Sequence, residues 1–175
     1  MNNLRPYDVD FVKLKEGTHQ FDFEIDNTLF EAFQSSLSTE KLAVKLFFTK
    51  STNMFNLQFD LNGKVNVECD RCLNAINLPI SNMQLLIVKV TEFAPEKEEN
   101  DLIYISPSDY KLNVAQHIYD AILLSIPIKK TCADANEICD TSITNKITGE
   151  IDVELEVEPG QDTDYTDEED EDNID

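Results

Sequence analysis

The chain has 175 residues, of which 41% are hydrophobic, so it can build one globular domain with a core and is not wholly disordered. No apolar run approaches the roughly 20 residues that cross a bilayer, and the first residues lack the apolar segment of a signal peptide, so we expect a cytoplasmic protein without membrane contact. The formal net charge of −21 repels a phosphate backbone, which leaves direct nucleic-acid binding uncertain and favours a basic protein partner.

The first part of the chain predicts strands and one short helix. Apolar and polar residues alternate strictly over residues 21–25 and 42–50, which predicts two strands with one buried face each. Between them, Asp26 or Asn27 can cap a helix, because short polar side chains accept hydrogen bonds from the first turn. The apolar residues of this helix recur at helical spacing: Leu29, Phe30, Phe33 and Leu37.

A hairpin is predicted around Asn62-Gly63, a dipeptide typical of tight turns that here separates two alternating runs, residues 55–61 and 65–69. A three-residue loop at 61–63 would set Phe59 opposite Val65 and keep apolar residues opposite apolar ones. A two-residue loop would set them opposite polar residues instead. Because a slip of one residue turns every side chain to the other face, we expect the three-residue loop.

Three further strands follow. Residues 76–80 alternate, whereas residues 83–91 are apolar on both faces, which predicts a strand buried on both sides. A charged loop is expected at residues 95–101, followed by a short strand at residues 102–105.

The clearest helix follows Asn113, the predicted N-cap, with Gln116 in the position that completes a capping box. Pro127 should end this helix, because the residue before a proline disfavours helical geometry. Its apolar stripe indicates a core helix and consists of Leu112, Ala115, Ile118, Tyr119, Ile122, Leu123 and Ile126.

These elements predict an α+β domain over residues 1–157, mainly an antiparallel β-sheet with one principal core helix and a Cys-rich hairpin that resembles a metal knuckle. Residues 151–157 alternate apolar and acidic side chains and could add a late strand or begin the tail. Residues 158–175 hold ten acidic residues and no Lys or Arg, which predicts a disordered acidic tail.

The four cysteines form two pairs, Cys69-x-x-Cys72 and Cys132-x6-Cys139. In a cytosolic chain such pairs favour metal binding over a stable disulfide, and a C-x-x-C pair directs two thiolates at one tetrahedral ion. We therefore predict a metal site made by Cys69, Cys72, Cys132 and Cys139, with Zn²⁺ as the candidate ion. The x6 spacing exceeds that of the usual knuckle, so the second pair needs a loop that folds back.

Two other interpretations of the cysteines remain open. Cys69 lies on the apolar face of its strand, as expected for a small inert core residue, and a C-x-x-C pair can also act as a redox switch. His19 and His117 are spare ligand candidates, although His117 falls off the apolar stripe and is better explained as a solvated helix residue.

No catalytic or cofactor-binding residue is predicted. The chain contains no G-x-S-x-G, P-loop or H-E-x-x-H motif, and its four glycines are too few for a glycine-rich phosphate cradle. We therefore expect a protein that is not an enzyme. Direct RNA binding would depend on a small basic patch near the cysteines, made by Arg71, Lys129, Lys130 and Lys146.

Three blocks together carry a family resemblance. The chain resembles the YceD family, the large ribosomal RNA subunit accumulation proteins, in the order and spacing of these blocks. They are Val67-Glu-Cys-Asp-Arg-Cys-Leu73, the helix that ends in Leu123-Leu-Ser-Ile-Pro-Ile128, and Cys139. The resemblance implies a role in accumulation or maturation of large-subunit ribosomal RNA. Members are often encoded beside a small protein of the large subunit, which implies a basic ribosomal protein or a pre-ribosomal particle as the partner.

The chain also departs from the family pattern. Members often have more cysteines after the proline, with a Cys-Gly knuckle, whereas in this chain Cys132 and Cys139 stand alone and the next glycine is Gly149. The leading hypothesis is a ribosome-assembly factor that acts by binding. The alternative is a metal- or redox-responsive regulatory module unrelated to ribosomes.

Overall fold

A computed structural model describes residues 4–92, 102–140 and 142 of the chain. The predicted loop at 95–101, the late strand at 151–157 and the acidic tail at 158–175 lie outside the described residues. Within the described residues the fold is α+β, as predicted: a mainly antiparallel sheet with one main helix and four cysteines close together. Neither α-helix of this described part has the length and apolar character needed to cross a membrane.

In chain order, the strands and helices of the described part are β1 (Asp8–Val9), β2 (Gly17–Ile25), α1 (Asn27–Ala32), β3 (Leu42–Lys50), β4 (Met54–Glu68), β5 (Ala75–Val90), β6 (Leu102–Ile105), β7 (Leu112–Asn113) and α2 (Ala115–Ser125). Short 3₁₀ turns lie at Arg5–Tyr7, Phe11–Lys13 and Cys132–Ala135. The main sheet has the order β2-β3-β4-β5-β6 and is antiparallel except for β6, which runs parallel to β5. Helix α2 packs on β4 and β5, so one sheet face forms the core.

The predicted hairpin at Asn62-Gly63 is wrong, because β4 continues straight through this dipeptide. Gly63 lies opposite Leu42 on β3 and opposite Ile80 on β5. A Cβ atom at this position would lie 2.7 Å from the carbonyl oxygen of Lys41, so the glycine permits a close approach of two backbones. Odd-numbered residues face the core both before and after Gly63. A hairpin with a three-residue loop would give the same alternation, so the pattern of apolar residues could not distinguish a hairpin from one continuous strand.

The two runs predicted as separate strands at 76–80 and 83–91 form one strand of 16 residues, β5. The prediction that the second run is buried on both sides is wrong for the described part of the molecule. Leu86 and Val88 are buried, whereas Met83 and Leu85 on the other face are each 62% exposed. The turn that reverses the chain between β4 and β5 lies at residues 69–74 and contains the first cysteine pair.

Helix α1 begins as predicted, since the carboxylate of Asp26 accepts a hydrogen bond from the backbone N–H of Thr28. The predicted capping box of α2 is wrong. Asn113 lies in β7, and its side-chain oxygen accepts a hydrogen bond from the backbone N–H of Ala115. The side chain of Gln116 donates to Asp120, whereas a capping box would require it to bond to the backbone N–H of Asn113. Helix α2 ends at Ser125, before Pro127, as predicted.

The N-terminal segment contributes to the core although its sequence shows no clear period. Tyr7, Val9 and Phe11 are buried, and the ring of Phe11 lies 5.0 Å from that of Phe55. The ammonium of Lys50 donates to the carbonyl oxygen of Phe11 at 2.9 Å and so ties this segment to β3. The segment also pairs through β1 with β7, directly before α2, and helps to fix where that helix begins.

Candidate metal centre

The turn between β4 and β5 holds Cys69 and Cys72 in a fixed arrangement. The N–H of Cys69 donates to the carbonyl oxygen of Asn74 at 2.9 Å, and the N–H of Leu73 donates to that of Cys69 at 3.0 Å. Leu73 has a left-handed backbone (φ 61°), which closes the turn tightly. Both cysteines are buried on the core side, so the turn presents two thiols to the same interior point.

The segment after α2 folds back on itself and so accommodates the long spacing of the second pair. The carboxylate of Asp134 accepts the backbone N–H of Thr131 at 2.8 Å and the hydroxyl of Thr131 at 2.7 Å, which caps a 3₁₀ turn at Cys132–Ala135. Asn136 then adopts a left-handed backbone (φ 58°), and the N–H of Glu137 donates to the carbonyl oxygen of Cys132 at 2.7 Å. This reversal returns Cys139 to the neighbourhood of Cys132.

The sulfur atoms of Cys69, Cys72, Cys132 and Cys139 all lie within 4.8 Å of one another. The Sγ atoms of Cys72 and Cys132 are 3.4 Å apart, and those of Cys69 and Cys139 are 3.9 Å apart. Zinc with four thiolates at about 2.3 Å in a tetrahedron requires sulfur separations of about 3.8 Å. These four residues, which we name the cysteine centre, therefore have the donor type and the spacing of a closed four-sulfur metal site.

Asp70 and Lys130 join the two cysteine segments directly. The carboxylate of Asp70 accepts the ammonium and the backbone N–H of Lys130, both at 2.7 Å, and the N–H of Asp70 donates to the carbonyl oxygen of Lys130 at 2.8 Å. The hydrogen bonds from Lys130 hold the pKa of Asp70 below its ordinary value. Sequence reasoning missed this contact, because nothing local marks an aspartate and a lysine 60 positions apart as partners.

The cysteine centre favours thiolates unequally. Hydrogen bonds from the backbone N–H groups of Cys72 and Arg71 to the sulfur of Cys69 outweigh the effect of burial, and the pKa of Cys69 falls to about 6. Burial raises the pKa of Cys132, and the neighbouring thiols raise it further. Because like charges at this separation repel, the four sulfurs ionise together only when a cation lies among them. The arrangement is therefore suited to hold a divalent metal ion.

The other predicted site residues divide into two groups. His19 and His117 do not belong to the cluster of metal-ligating side chains found in the described part of the chain. Of the basic patch proposed for RNA, Lys130 is engaged by Asp70, and Lys146 lies outside the described residues. The remaining members, Arg71 and Lys129, are exposed beside the centre.

The comparisons with known proteins agree with the resemblance found in the sequence. The family model described as large ribosomal RNA subunit accumulation protein YceD matches residues 57–160, more than half of the chain, and this span includes all four cysteines. No curated protein and no solved structure matches the chain.

Proposed function

The chain belongs to the YceD family of large ribosomal RNA subunit accumulation proteins, and from this premise we propose that it promotes accumulation or maturation of large-subunit ribosomal RNA as a ribosome-assembly factor in the cytoplasm. The observation that carries the proposal is the family match across the span that contains the cysteine centre. The factor acts by binding and not by catalysis. Four protein sulfurs complete a tetrahedral shell, so a metal held there would have no open position for a substrate.

The cysteine centre holds Zn²⁺ in this proposal, with Cys69, Cys72, Cys132 and Cys139 as ligands. When bound, the ion supplies a cross-link between the turn after β4 and the segment after α2. The contacts between Asp70 and Lys130 support the same junction from the outside. Its role is therefore structural: it fixes the relative position of two segments between which the chain forms β5, β6, β7 and α2.

The partner is a basic ribosomal protein or a pre-ribosomal particle. A net charge of −21 attracts basic proteins and steers their approach, while it disfavours naked RNA. We place the folded domain within residues 1–157 and a disordered acidic tail at residues 158–175. The tail adds ten carboxylates to the field without contributing to a core.

The test is a depletion experiment in the cells that make the protein. Loss of the protein should lower the ratio of large-subunit to small-subunit ribosomal RNA, and the wild-type chain should restore that ratio. Metal analysis of the purified full chain should find one zinc ion per molecule, which the Cys72→Ser variant lacks. An unchanged RNA ratio would refute the assembly role, and a metal-free wild-type chain would refute the zinc site.

A second candidate function is a redox-responsive module, and the short distance between two sulfur atoms supports it. The Sγ atoms of Cys72 and Cys132 are 3.4 Å apart, close enough to form a disulfide after a small movement. Thiol titration of the full chain after mild peroxide treatment separates the two candidates. A zinc-loaded structural centre should keep four titratable thiols after the metal is released by acid, whereas a redox switch should lose two of them reversibly.

A further inference from the structure

We propose that the surface around the cysteine centre is the docking face for the basic partner, and that the bound metal organises this face. The inference rests on the proposed function and names the part of the molecule that carries it out. The docking face consists of Leu73, Ile128 and Ile138 with the groove beside Cys69.

The three aliphatic side chains of the docking face are exposed, although each belongs to one of the two chain segments that form the cysteine centre. Leu73 follows Cys72 and is 68% exposed, and Ile138 precedes Cys139 and is 92% exposed. Ile128 is fully exposed and lies two residues before Lys130, whose main chain bonds to Asp70. These side chains lie in the two segments that the cysteine centre joins, and Leu73 also lines a groove, so they can serve as apolar anchors for a partner.

Leu73 has a backbone conformation that disfavours leucine. Its left-handed backbone (φ 61°) favours glycine or asparagine, because a Cβ atom crowds the following carbonyl oxygen there. The leucine gains little burial in return, since it remains mostly exposed to solvent. A strained apolar residue with so little packing of its own indicates a contact outside the chain.

A groove of about 410 Å³ adjoins Leu73 and reaches Cys69. Leu37, Val67 and Ala75 give it an apolar lining, and its charged lining residues are Glu68 and the ion pair of Asp70 with Lys130, which leaves the carboxylate of Glu68 to attract a basic group. Its dimensions and lining suit an aliphatic side chain that enters the groove with a basic residue beside it.

The charge around the face selects the partner. Within residues 68–73 and 128–140 the acidic residues outnumber the basic ones, and Lys130 is already paired with Asp70. A partner segment that combines aliphatic anchors with Lys or Arg therefore matches both the apolar and the electrostatic character of the face. Because Leu73 and Ile138 are the sequence neighbours of Cys72 and Cys139, a metal ion bound by these two thiolates would hold the backbone at both positions.

The experiment uses the full chain immobilised at low salt and, as the probe, the basic proteins extracted with lithium chloride from purified large ribosomal subunits. The wild-type chain should retain a basic protein that mass spectrometry identifies. Leu73→Asn should reduce this retention roughly tenfold, as expected for loss of an anchor residue. Since asparagine tolerates the left-handed backbone, this variant should fold as well as the wild type, and a thermal melt checks that it does. Ile138→Ser should act in the same direction.

The matched control is Leu85→Asn, which changes a leucine of similar exposure on the outer face of β5 and should leave retention unchanged. Stripping the metal with a chelator should reduce retention as much as Leu73→Asn does, and added Zn²⁺ should restore it. Retention that persists in Leu73→Asn and in the stripped chain would overturn the docking face while the proposed function stands. Loss in Leu85→Asn alone would move the interface to the sheet.

Two other outcomes also decide the question. A wild-type chain that retains no ribosomal protein would overturn the inference that a basic ribosomal protein occupies this face, while the ribosomal RNA ratio after depletion separately decides the assembly role. Sedimentation that shows a dimer of the wild type and a monomer of Leu73→Asn would assign the face to a second copy of the chain and overturn the inference.

Discussion

The sheet and the cysteine centre adjoin each other but are held together by different interactions. In the sheet, large side chains such as Phe48, Phe59 and Leu46 are at most 1% exposed and pack beneath α2 and the N-terminal segment. At the cysteine centre the buried groups are small thiols, while Leu73 and Ile138 extend into solvent. Apolar burial stabilises the first region, whereas the second depends on polar bonds and, in our proposal, on a metal ion.

This difference follows from the amount of apolar surface that each region can remove from water. A five-stranded sheet covered by a helix encloses a continuous core, and such burial stabilises a fold without further help. Two short turns cannot enclose a comparable volume, so small regions of this kind typically require a metal or a disulfide. Perturbations of one region should therefore leave the other largely intact.

The largest effect is expected from Phe59→Ala in the centre of β4. Phe59 is 1% exposed, and its removal leaves a cavity that the neighbouring strands cannot fill. The free energy of unfolding, measured by urea denaturation, should fall by about 3–5 kcal/mol. Leu85→Ala on the exposed face of β5 is the control and should change it by less than about 0.5 kcal/mol. Equal effects of the two changes would contradict the assignment of the core face.

A smaller loss is expected from Gly63→Ala. The new methyl group would lie 2.7 Å from the carbonyl oxygen of Lys41, a backbone atom that moves only if β3 shifts. The free energy of unfolding should fall by about 1–3 kcal/mol, as in other overpacked sites. Asn62→Ala, at the exposed neighbouring position, is the matched control. Tolerance of alanine at residue 63 would contradict the close approach of the two backbones at this position.

Removal of the metal should separate the two regions most clearly. After chelation, backbone amides at residues 69–74 and 130–140 should exchange with solvent roughly tenfold faster or more, because their cross-link is lost. Amides in the centres of β3 and β4 should keep their protection, since the core does not depend on the ion. Hydrogen exchange followed by mass spectrometry measures both. A simultaneous loss of protection in the sheet would show that the regions form one cooperative unit.

The smallest effect concerns His117 on α2. Burial lowers its pKa below the ordinary value of 6.5, and this outweighs the opposite effect of Asp120. The unfolded chain therefore takes up the proton more readily, so stability falls as the pH drops below 6.5 towards the lower folded pKa. His117→Gln should lose less stability than the wild type over this pH interval in parallel denaturation curves. Identical pH dependence of the two proteins would rule out a contribution from His117.

Much of the fold could be predicted because periodicity is a local property. The alternation at residues 42–50 identifies β3 with its exact bounds, and Asp26 and Pro127 mark where α1 begins and α2 ends. Such signals depend on neighbours within a few positions, which the sequence displays directly. The family resemblance was likewise readable from short blocks, and the match over residues 57–160 confirmed it.

The errors concern long-range contacts. Asn62-Gly63 has the local character of a turn, but the backbone of Lys41 and Leu42 occupies the space beside Gly63, and this neighbour is invisible in the local sequence. Leu85 was expected to be buried because it is apolar, yet no described element covers its side of β5. Local propensity was overruled in each case by where other parts of the chain lie.

By itself, the sequence determined which residues could face a core, where two helical boundaries lie and that two pairs of thiols exist. Only the tertiary structure decided that β4 pairs with β5 along its full length and that the four sulfur atoms lie within 4.8 Å of one another. The physical reason is that alternation and capping arise between adjacent residues. Strand partners and metal-ligand geometry arise from the three-dimensional path of the whole chain, which brings Asp70 to Lys130 and Cys72 to Cys132.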